Sequence, residues 1–276
     1  FSSVPVVAFV SYLLVPIAAP PNPANQANTL SSDIIRSICN DYTGKVWIAT
    51  FNGLDELDPK SGKIKNHLRQ FNPRGSFPAL TFNCLIEDSK RRIWVGSSNG
   101  IYLYQRATNS FKLFQHNPSD PSSLCDNSVS SIAEDKSGNI WFGTRNGLSM
   151  LLPEGKGFKS LKSRRGDFNT LMNDGIRSLA VDQNNQLWIG TEDGLNVLDI
   201  KNGQMSGYKP DSRDNYSLTG KSISCIYIDD AGIYWLGPYR GGICKYDTNL
   251  NLFHLKQSNV LDQSGLNGSI VTSFAM

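Results

Sequence analysis

Five tryptophans divide this chain of 276 residues into units of equal length. They are its only tryptophans, and each lies 47 residues after the one before it. An aspartate precedes every tryptophan by six residues, and a glycine follows it by six. The aligned residues are Asp41, Trp47, Gly53; Asp88, Trp94, Gly100; Asp135, Trp141, Gly147; Asp182, Trp188, Gly194; and Asp229, Trp235, Gly241. A period of this length, with so much glycine and aromatic content, predicts the blades of a β-propeller.

Each unit has the pattern of four short strands separated by turns. In the third unit, the sequence predicts strands over residues 129–133, 140–144, 148–152 and 158–161, with a hairpin turn at 135–138. No helical periodicity lies between them. The predicted fold class is therefore all-β: a β-propeller of five complete four-stranded blades with a 47-residue period, plus a partial blade.

The period also sets the expected domain boundaries. The five complete blades span residues 30–76, 77–123, 124–170, 171–217 and 218–266, and residues 267–276 begin a partial blade. Such an array is either an open, incomplete propeller or one closed by a composite blade. Residues 1–29 are mostly apolar and uncharged. Two interpretations stay open for them: the tail of a signal peptide, or the outer strands of a preceding blade.

Charge and cysteine content exclude some classes of partner and site. The chain has 27 basic and 24 acidic residues, and no basic run is longer than the three residues 90–92, so no nucleic-acid partner is indicated. The five cysteines are an odd number without a C-x-x-C pair, which indicates neither a zinc site nor a disulfide framework. Cys39, Cys84 and Cys225 stand where other units carry serine or alanine, so we expect free thiols in the core. No cofactor and no metal are expected.

One repeat family shares the pattern of the first unit. The matching residues are 29–38, Asp41, Gly44, 47–50 and 53–54. This pattern resembles the two-component regulator propeller repeat. It recurs through 135–148 and 182–195, so the resemblance extends over residues 30–276. The resemblance implies a periplasmic sensor region of a membrane-spanning histidine kinase, of the hybrid type found in Bacteroidetes, with membrane attachment only through segments absent from this chain.

Three functions remain in view at this point. The resemblance implies a ligand-sensing propeller that recognises an oligosaccharide or another small periplasmic ligand and relays the signal to a downstream kinase. An alternative is a protein-interaction propeller, with a homodimer as one form. A third is a propeller lyase, because residues 138–142 are similar to one stretch of streptogramin lyases. Lyase chemistry requires a histidine base near the axis, whereas His67, His116 and His254 lie in the outer part of their units, so we expect no enzyme activity.

Two sets of loops predict where a ligand would bind. In consecutive antiparallel strands, the turn between the second and third strands lies on the same face as the connection between blades, and such loops carry function. The turns contribute Phe51, Asn52, Asn99, Arg145, Asn146, Glu192, Asp193, Tyr239 and Arg240; the connections contribute Asp33, Asn127, Asp174 and Lys221. Arginines and acids would bond sugar hydroxyls or acidic substituents, and aromatic rings would stack on a pyranose. The other interpretation of each residue is a solvated turn position.

Overall fold

The computed structural model describes residues 28–69, 80–167, 169–214, 217–247 and 252–256. The predicted leader or preceding blade in residues 1–27 and the partial blade at 267–276 lie outside the described residues. The described chain divides into two compact units. The first runs to Leu113 and the second begins at Phe114.

In the described part of the chain, twenty strands form five antiparallel sheets, and each sheet holds four strands in chain order. The sheets contain β1 Ile35–Asn40, β2 Val46–Thr50, β3 Gly53–Asp58 and β4 Lys63–Arg69; β5 Phe82–Glu87, β6 Ile93–Ser97, β7 Gly100–Gln105 and β8 Ser110–Phe114; β9 Val129–Glu134, β10 Ile140–Thr144, β11 Gly147–Leu151 and β12 Phe158–Leu161; β13 Ile176–Val181, β14 Gln186–Thr191, β15 Gly194–Asp199 and β16 Met205–Tyr208; and β17 Ile223–Ile228, β18 Ile233–Pro238, β19 Ile243–Asp247 and β20 Leu252–Lys256. The five predicted four-stranded blades are confirmed. In the third sheet the strand bounds differ from the predicted ones by one residue at most. Within the described residues, no helix is long and apolar enough to cross a membrane.

A carboxylate organises the first hairpin of every sheet, and it is buried in the first four sheets. In the third sheet, Asp135 Oδ1 accepts hydrogen bonds from the backbone N–H groups of Ser137 at 2.9 Å and Asn139 at 3.0 Å. Its Oδ2 accepts a hydrogen bond from Trp141 Nε1 at 2.9 Å. The indole-to-carboxylate distances in the other sheets are 3.1 Å for Trp47, 2.8 Å for Trp94, 3.1 Å for Trp188 and 2.9 Å for Trp235. One side chain therefore closes the turn and orients the tryptophan.

The fourth residue of this aspartate turn needs a left-handed backbone. Gly138 has φ +80°, as expected for a glycine at this position. The two sheets without glycine adopt the same conformation, with φ +60° at Asn185 and +61° at Arg91. The sequence departs from the pattern at Arg91, but the backbone does not.

Two of the oriented tryptophans stack against aromatic side chains of the next sheet in the same compact unit. In the first unit, Trp47 stacks on His67 at 4.7 Å and meets Tyr104 of the next sheet at 4.8 Å. In the second unit, Trp188 stacks on Tyr234 of the next sheet at 4.1 Å. Aromatic side chains bury a large apolar area, so these contacts fill the wide gap between sheets.

The first strands of adjacent sheets approach closely and are bonded by small polar side chains. Ser131 Oγ accepts a hydrogen bond from the backbone N–H of Leu179 in the next sheet at 3.0 Å. Ser178 Oγ donates to the Ile223 carbonyl at 3.0 Å. A Cβ at Gly143, in the adjoining second strand, would lie 2.5 Å from Ile176 Cγ2 of the next sheet, so glycine suits this close approach. Small residues therefore permit the approach and also link the sheets.

The five cysteines are free, as expected, and all lie within the described residues. Burial raises the pKa of Cys39 to about 11 and the pKa of Cys84 and Cys225 to about 12. A thiol of that pKa stays protonated at neutral pH, and a protonated thiol is a poor nucleophile. These cysteines therefore act as small core residues.

The turn aspartate provides a direct test of the packing argument. Asp135→Ala removes the acceptor of a buried indole N–H and of two turn amides. We expect the free energy of unfolding to fall by about 3 kcal/mol, measured by urea denaturation. Asp120→Ala, in an exposed turn, should change it by only about 0.5 kcal/mol; equal effects of the two substitutions would contradict the assigned role.

Three carboxylates predict how stability depends on pH. Burial alone would raise the pKa of Asp41 and Asp229, but hydrogen bonds, including those from Trp47 and Trp235, outweigh burial and lower it. The hydrogen bond from His67 lowers the pKa of Glu56. Groups whose pKa is lower in the folded state stabilise it above their unfolded pKa, and that stabilisation is lost as the pH falls through the folded value.

The free energy of unfolding should therefore be nearly constant above about pH 5 and decrease below about pH 4. Urea denaturation between pH 3 and 7 measures this dependence. Glu56→Gln should make the decrease shallower, because one of the three carboxylates is removed. An unchanged or steeper decrease in that variant would exclude the contribution of Glu56.

Candidate functional site

A backbone hydrogen bond joins each turn between second and third strands to the connection that enters its sheet. The donors are the N–H groups of Phe51, Ser98, Arg145, Glu192 and Tyr239, and the acceptors are the carbonyls of Ile34, Thr81, Ser128, Gly175 and Ser222, at 2.7–3.0 Å. The structure thus brings the two predicted sets of loops to the same edge of every sheet. We call this edge the turn face.

A hydroxyl at the base of each turn holds its backbone. Thr144 Oγ1 donates a hydrogen bond to the Gly147 carbonyl at 2.7 Å. Thr50, Ser97 and Thr191 do the same in their sheets at 2.9 Å. The fifth sheet has Pro238 at this position, and Thr219 from the incoming connection donates to the Gly241 carbonyl instead, at 2.8 Å. A base hydroxyl thus supports every turn, while the side chains at the turn tips differ from sheet to sheet.

A β-bulge lies at the same position in every first strand. The pairing between first and second strands skips one residue, eleven residues before the tryptophan. The bulged residues are Arg36, Asn83, Ser130, Arg177 and Ser224. A bulge re-aims a side chain and is common beside binding sites. These residues were not predicted to belong to the site, although their polar character in all five repeats is a signal that could have identified them.

The second compact unit, which begins at Phe114, contains a cleft on its turn face between the third and fourth sheets. Its volume is about 230 Å³, and it is lined by Ser128, Ser130, Arg145, Gly175, Ile176, Arg177 and Glu192. Arg145 and Glu192 were predicted as ligand-binding residues. Ser130 and Arg177 are the bulged residues of β9 and β13. The cleft thus combines turn tips with bulges.

The charges in the cleft are unequally compensated. Arg177 Nη2 donates to Glu192 Oε1 at 2.7 Å, so these two charges neutralise each other. Ser130 Oγ donates to the Ile176 carbonyl at 2.7 Å. Arg145 is exposed, and its guanidinium has no carboxylate partner among the residues that the structure describes. A free planar donor set therefore lies beside a neutral ion pair, an arrangement suited to bidentate recognition of paired oxygen atoms.

Other predicted residues of the second unit lie around this cleft or farther along the turn face. Asp193 Oδ2 accepts a hydrogen bond from Lys209 Nζ at 2.8 Å, and Lys221 Nζ lies 4.0 Å from Asp193 Oδ1. Tyr239 is 49% exposed, with the Arg240 guanidinium 5.2 Å from its ring centroid.

Three further predicted residues have backbone roles. Asn127 Oδ1 accepts a hydrogen bond from the His116 amide at 2.7 Å, and Asp174 Oδ1 accepts one from the Ser163 amide at 2.6 Å. These two side chains fasten the connections between sheets. Asn146, in an exposed turn, donates its backbone N–H to Thr144 Oγ1 at 3.2 Å.

The first unit holds the remaining predicted residues. Asp33 is exposed in the connection before β1. Phe51 lies 5.9 Å from the Arg36 guanidinium, so a bulged residue again meets a turn tip. Asn52 is half-buried, and Asn99 donates its backbone N–H to Ser97 Oγ at 3.0 Å. No group of three His, Cys, Asp or Glu side chains that could hold a metal ion occurs in the described residues.

The repeats match a known family. The family model of the two component regulator propeller matches residues 29–52, 76–99, 123–146 and 170–193. Each match covers the start and the first hairpin of one 47-residue repeat. The predicted resemblance is thereby confirmed for the first four repeats. No curated protein matches the chain.

Solved structures share the fold. One is the extracellular domain of a protein assigned to the hybrid two component systems of B. thetaiotaomicron, with a TM-score of 0.66 and 23% sequence identity. The match covers 83% of the present chain and 31% of the B. thetaiotaomicron chain. Virginiamycin B lyase from Staphylococcus aureus has a TM-score of 0.61 at 16% sequence identity; the match covers 86% of the present chain and 74% of the lyase chain. PorZ of Porphyromonas gingivalis is a surface component of the type-IX secretion system. Its TM-score is 0.60 at 15% sequence identity, and the match covers 86% of the present chain and 35% of the PorZ chain.

These likenesses identify a β-propeller fold at low sequence identity. The chain spans about a third of the length of the B. thetaiotaomicron domain. A two-component-system domain, a lyase and a secretion-system component share this fold, so function has to be argued from the site itself.

The cleft residues should contribute little to folding. Arg145 has no carboxylate partner among the described residues, and the Arg177–Glu192 pair is solvent-exposed. We expect Arg145→Gln and Arg177→Gln each to change the free energy of unfolding by less than about 1 kcal/mol. Urea denaturation measures this. A larger loss in either variant would mean that the side chain supports the sheets rather than a ligand.

Proposed function

Because the chain carries two-component regulator propeller repeats, we propose that it is the extracytoplasmic sensor propeller of a two-component system. In this proposal it binds an oligosaccharide on its turn face and relays that event to a histidine kinase elsewhere in the protein. The proposal includes a periplasmic location and assigns no catalytic step to this chain.

The cleft of the second unit carries the proposal. It joins a free guanidinium at Arg145, a neutral ion pair between Arg177 and Glu192, and hydroxyl groups at Ser128 and Ser130. Sugars present many hydroxyl groups in fixed directions, and such a set of donors and acceptors is suited to them. The cleft, at about 230 Å³, is smaller than the roughly 300–1,000 Å³ pockets that enclose drug-sized ligands. It therefore suits one ring of a longer ligand.

The composition of the cleft supports a binding role rather than a lyase role. No histidine lines it, and its one carboxylate, Glu192, is bonded to Arg177. General acid–base catalysis needs a side chain able to exchange a proton with the substrate near neutral pH. The likeness to virginiamycin B lyase concerns the fold alone.

A second candidate function is a surface for a protein partner, including a second copy of this chain. Ile34 is 54% exposed and Ile35 is 38% exposed at the start of the first sheet. Exposed apolar residues next to one another favour a protein contact when they belong to a larger patch. This candidate predicts that the residues of the cleft do not affect binding of the partner.

Titration of the purified chain against a panel of oligosaccharides by isothermal calorimetry tests the sensor proposal. Arg145→Ala and Glu192→Gln should each weaken binding by about tenfold or more, because each removes a charged hydrogen-bonding group. Tyr239→Ala, at another turn tip, tests whether the ligand extends to the fifth sheet.

Lys201→Gln is the matched control, because this exposed lysine lies in the turn between β15 and β16, at the edge opposite the turn face. Its affinity should equal that of the unsubstituted chain. Binding that is unaffected by Arg145→Ala, Glu192→Gln and Tyr239→Ala would overturn the proposed site, and binding of a protein partner alone would favour the second candidate.

A further inference from the structure

A second and larger recess lies on the turn face of the second unit. Its volume is about 620 Å³, and it runs between the connection from β12 to β13 and the end of β16. It is lined by Ser163, Arg164, Arg165, Gly166, Asp167, Thr170, Leu171, Met172, Gly207 and Lys209. We call it the arginine groove. Its volume is within the range typical of ligand pockets.

The arginines of this groove are presented on a fixed turn. The Asp167 amide donates to the Arg164 carbonyl at 3.1 Å, and Gly166 has φ +84°. Thr170 Oγ1 accepts a hydrogen bond from the Arg164 amide at 3.0 Å, which ties the start of the turn to the chain beyond it. The backbone that carries the two guanidinium groups is thus held in place before any ligand arrives, which reduces the ordering cost of binding.

The groove carries a net positive charge, because two arginines face one lining carboxylate, Asp167. Lys209 is bonded to Asp193 at 2.8 Å. Asp167 Oδ1 accepts a hydrogen bond from the Asn169 amide at 3.0 Å. Within the described ranges, neither Arg164 nor Arg165 has a carboxylate partner. Two free guanidinium groups in one recess raise the local potential and favour an anion there.

The groove and the cleft share one turn. Glu192 lines the cleft, and the adjacent Asp193 is bonded to Lys209, which lines the groove. A chain of sugar rings with one ring in the cleft can therefore extend along the same face towards the arginine groove. Arg145, the free cation of the cleft, adds positive charge at the other end of that path.

We propose that the arginine groove is an anion-binding subsite and that the ligand of this propeller is an acidic oligosaccharide, with a carboxylate or sulfate substituent bound by Arg164 and Arg165. This inference rests on the proposed sensor function and makes the ligand class of that function specific. Arginine is suited to the role because its planar fork matches the paired oxygens of carboxylates and sulfates.

Matched pairs of tetrasaccharides test the inference. Uronic-acid tetrasaccharides, sulfated tetrasaccharides and the neutral counterparts, carboxyl-reduced or desulfated, are titrated against the full 276-residue chain. The acidic member of a pair should bind about tenfold or more tightly than its neutral partner. Its affinity should fall when the salt concentration is raised, because exposed charges are screened.

Substitutions locate the effect in the groove. Arg164→Gln combined with Arg165→Gln should remove most of the difference between acidic and neutral tetrasaccharides while leaving the affinity for the neutral ones unchanged. Arg164→Lys keeps the charge but loses the planar fork, so its effect should be intermediate. Lys201→Gln removes one positive charge at the opposite edge and should have no effect. Urea denaturation of each variant confirms that it is folded.

The outcomes separate this inference from the proposed function. If neutral and acidic tetrasaccharides bind equally well, or if the double substitution weakens both equally, the anion subsite is overturned and the sensor proposal stands. If no tetrasaccharide of either kind binds, both are overturned. If inorganic sulfate at the same concentration displaces the acidic sugar at constant ionic strength, the groove is a general anion site and the assignment to an acidic sugar fails.

Discussion

The bond from the tryptophan indole to the turn aspartate is the interaction on which the rest of this structure depends. A buried carboxylate is unfavourable unless its oxygens are bonded, and here one oxygen closes the turn while the other receives the indole. In two cases that second oxygen also reaches the neighbouring sheet of the same unit. Arg106 Nη1 donates to Asp41 Oδ2 at 3.0 Å, and Tyr234 Oη donates to Asp182 Oδ2 at 2.9 Å. Turn, tryptophan and adjacent sheet are thus joined at one group.

The features that could be predicted from the sequence are those set by local chemistry. The tryptophan period gave the five sheets, and the turn pattern indicated a left-handed backbone that even Arg91 adopts. The burial of small residues in the first strands followed from their alignment. These depend on residues close together in the chain, so an alignment of the repeats was enough to identify them.

The features that could not be predicted depend on register and on contacts between distant residues. Ser130 and Arg177 line the cleft because their strands bulge there, and a bulge becomes evident only when the pairing of the two strands is known. Asp174 fastens a connection by accepting a bond from Ser163. The hydrogen bond from Thr219 to the Gly241 carbonyl replaces the one that Pro238 cannot donate. An alignment of the repeats shows only that the hydroxyl residue is missing at Pro238, and not that Thr219 takes its place. The sequence therefore predicted that the turns and connections share an edge, as they do, but it did not identify the bulged residues that line the cleft.

A hydroxyl group at the base supports each turn between second and third strands, so the residue that supports a turn is not one of the residues at its tip. Backbone atoms and the base hydroxyl support the loop, while the side chains at the tips differ from one sheet to the next. Two tips add constraints of their own: Ser98 Oγ accepts a hydrogen bond from the Thr81 amide at 2.9 Å, and Arg240 has φ +60°. At the other tips, a side chain can be exchanged while the supports of its turn stay in place, so one sheet can acquire a new specificity without a change in its strands.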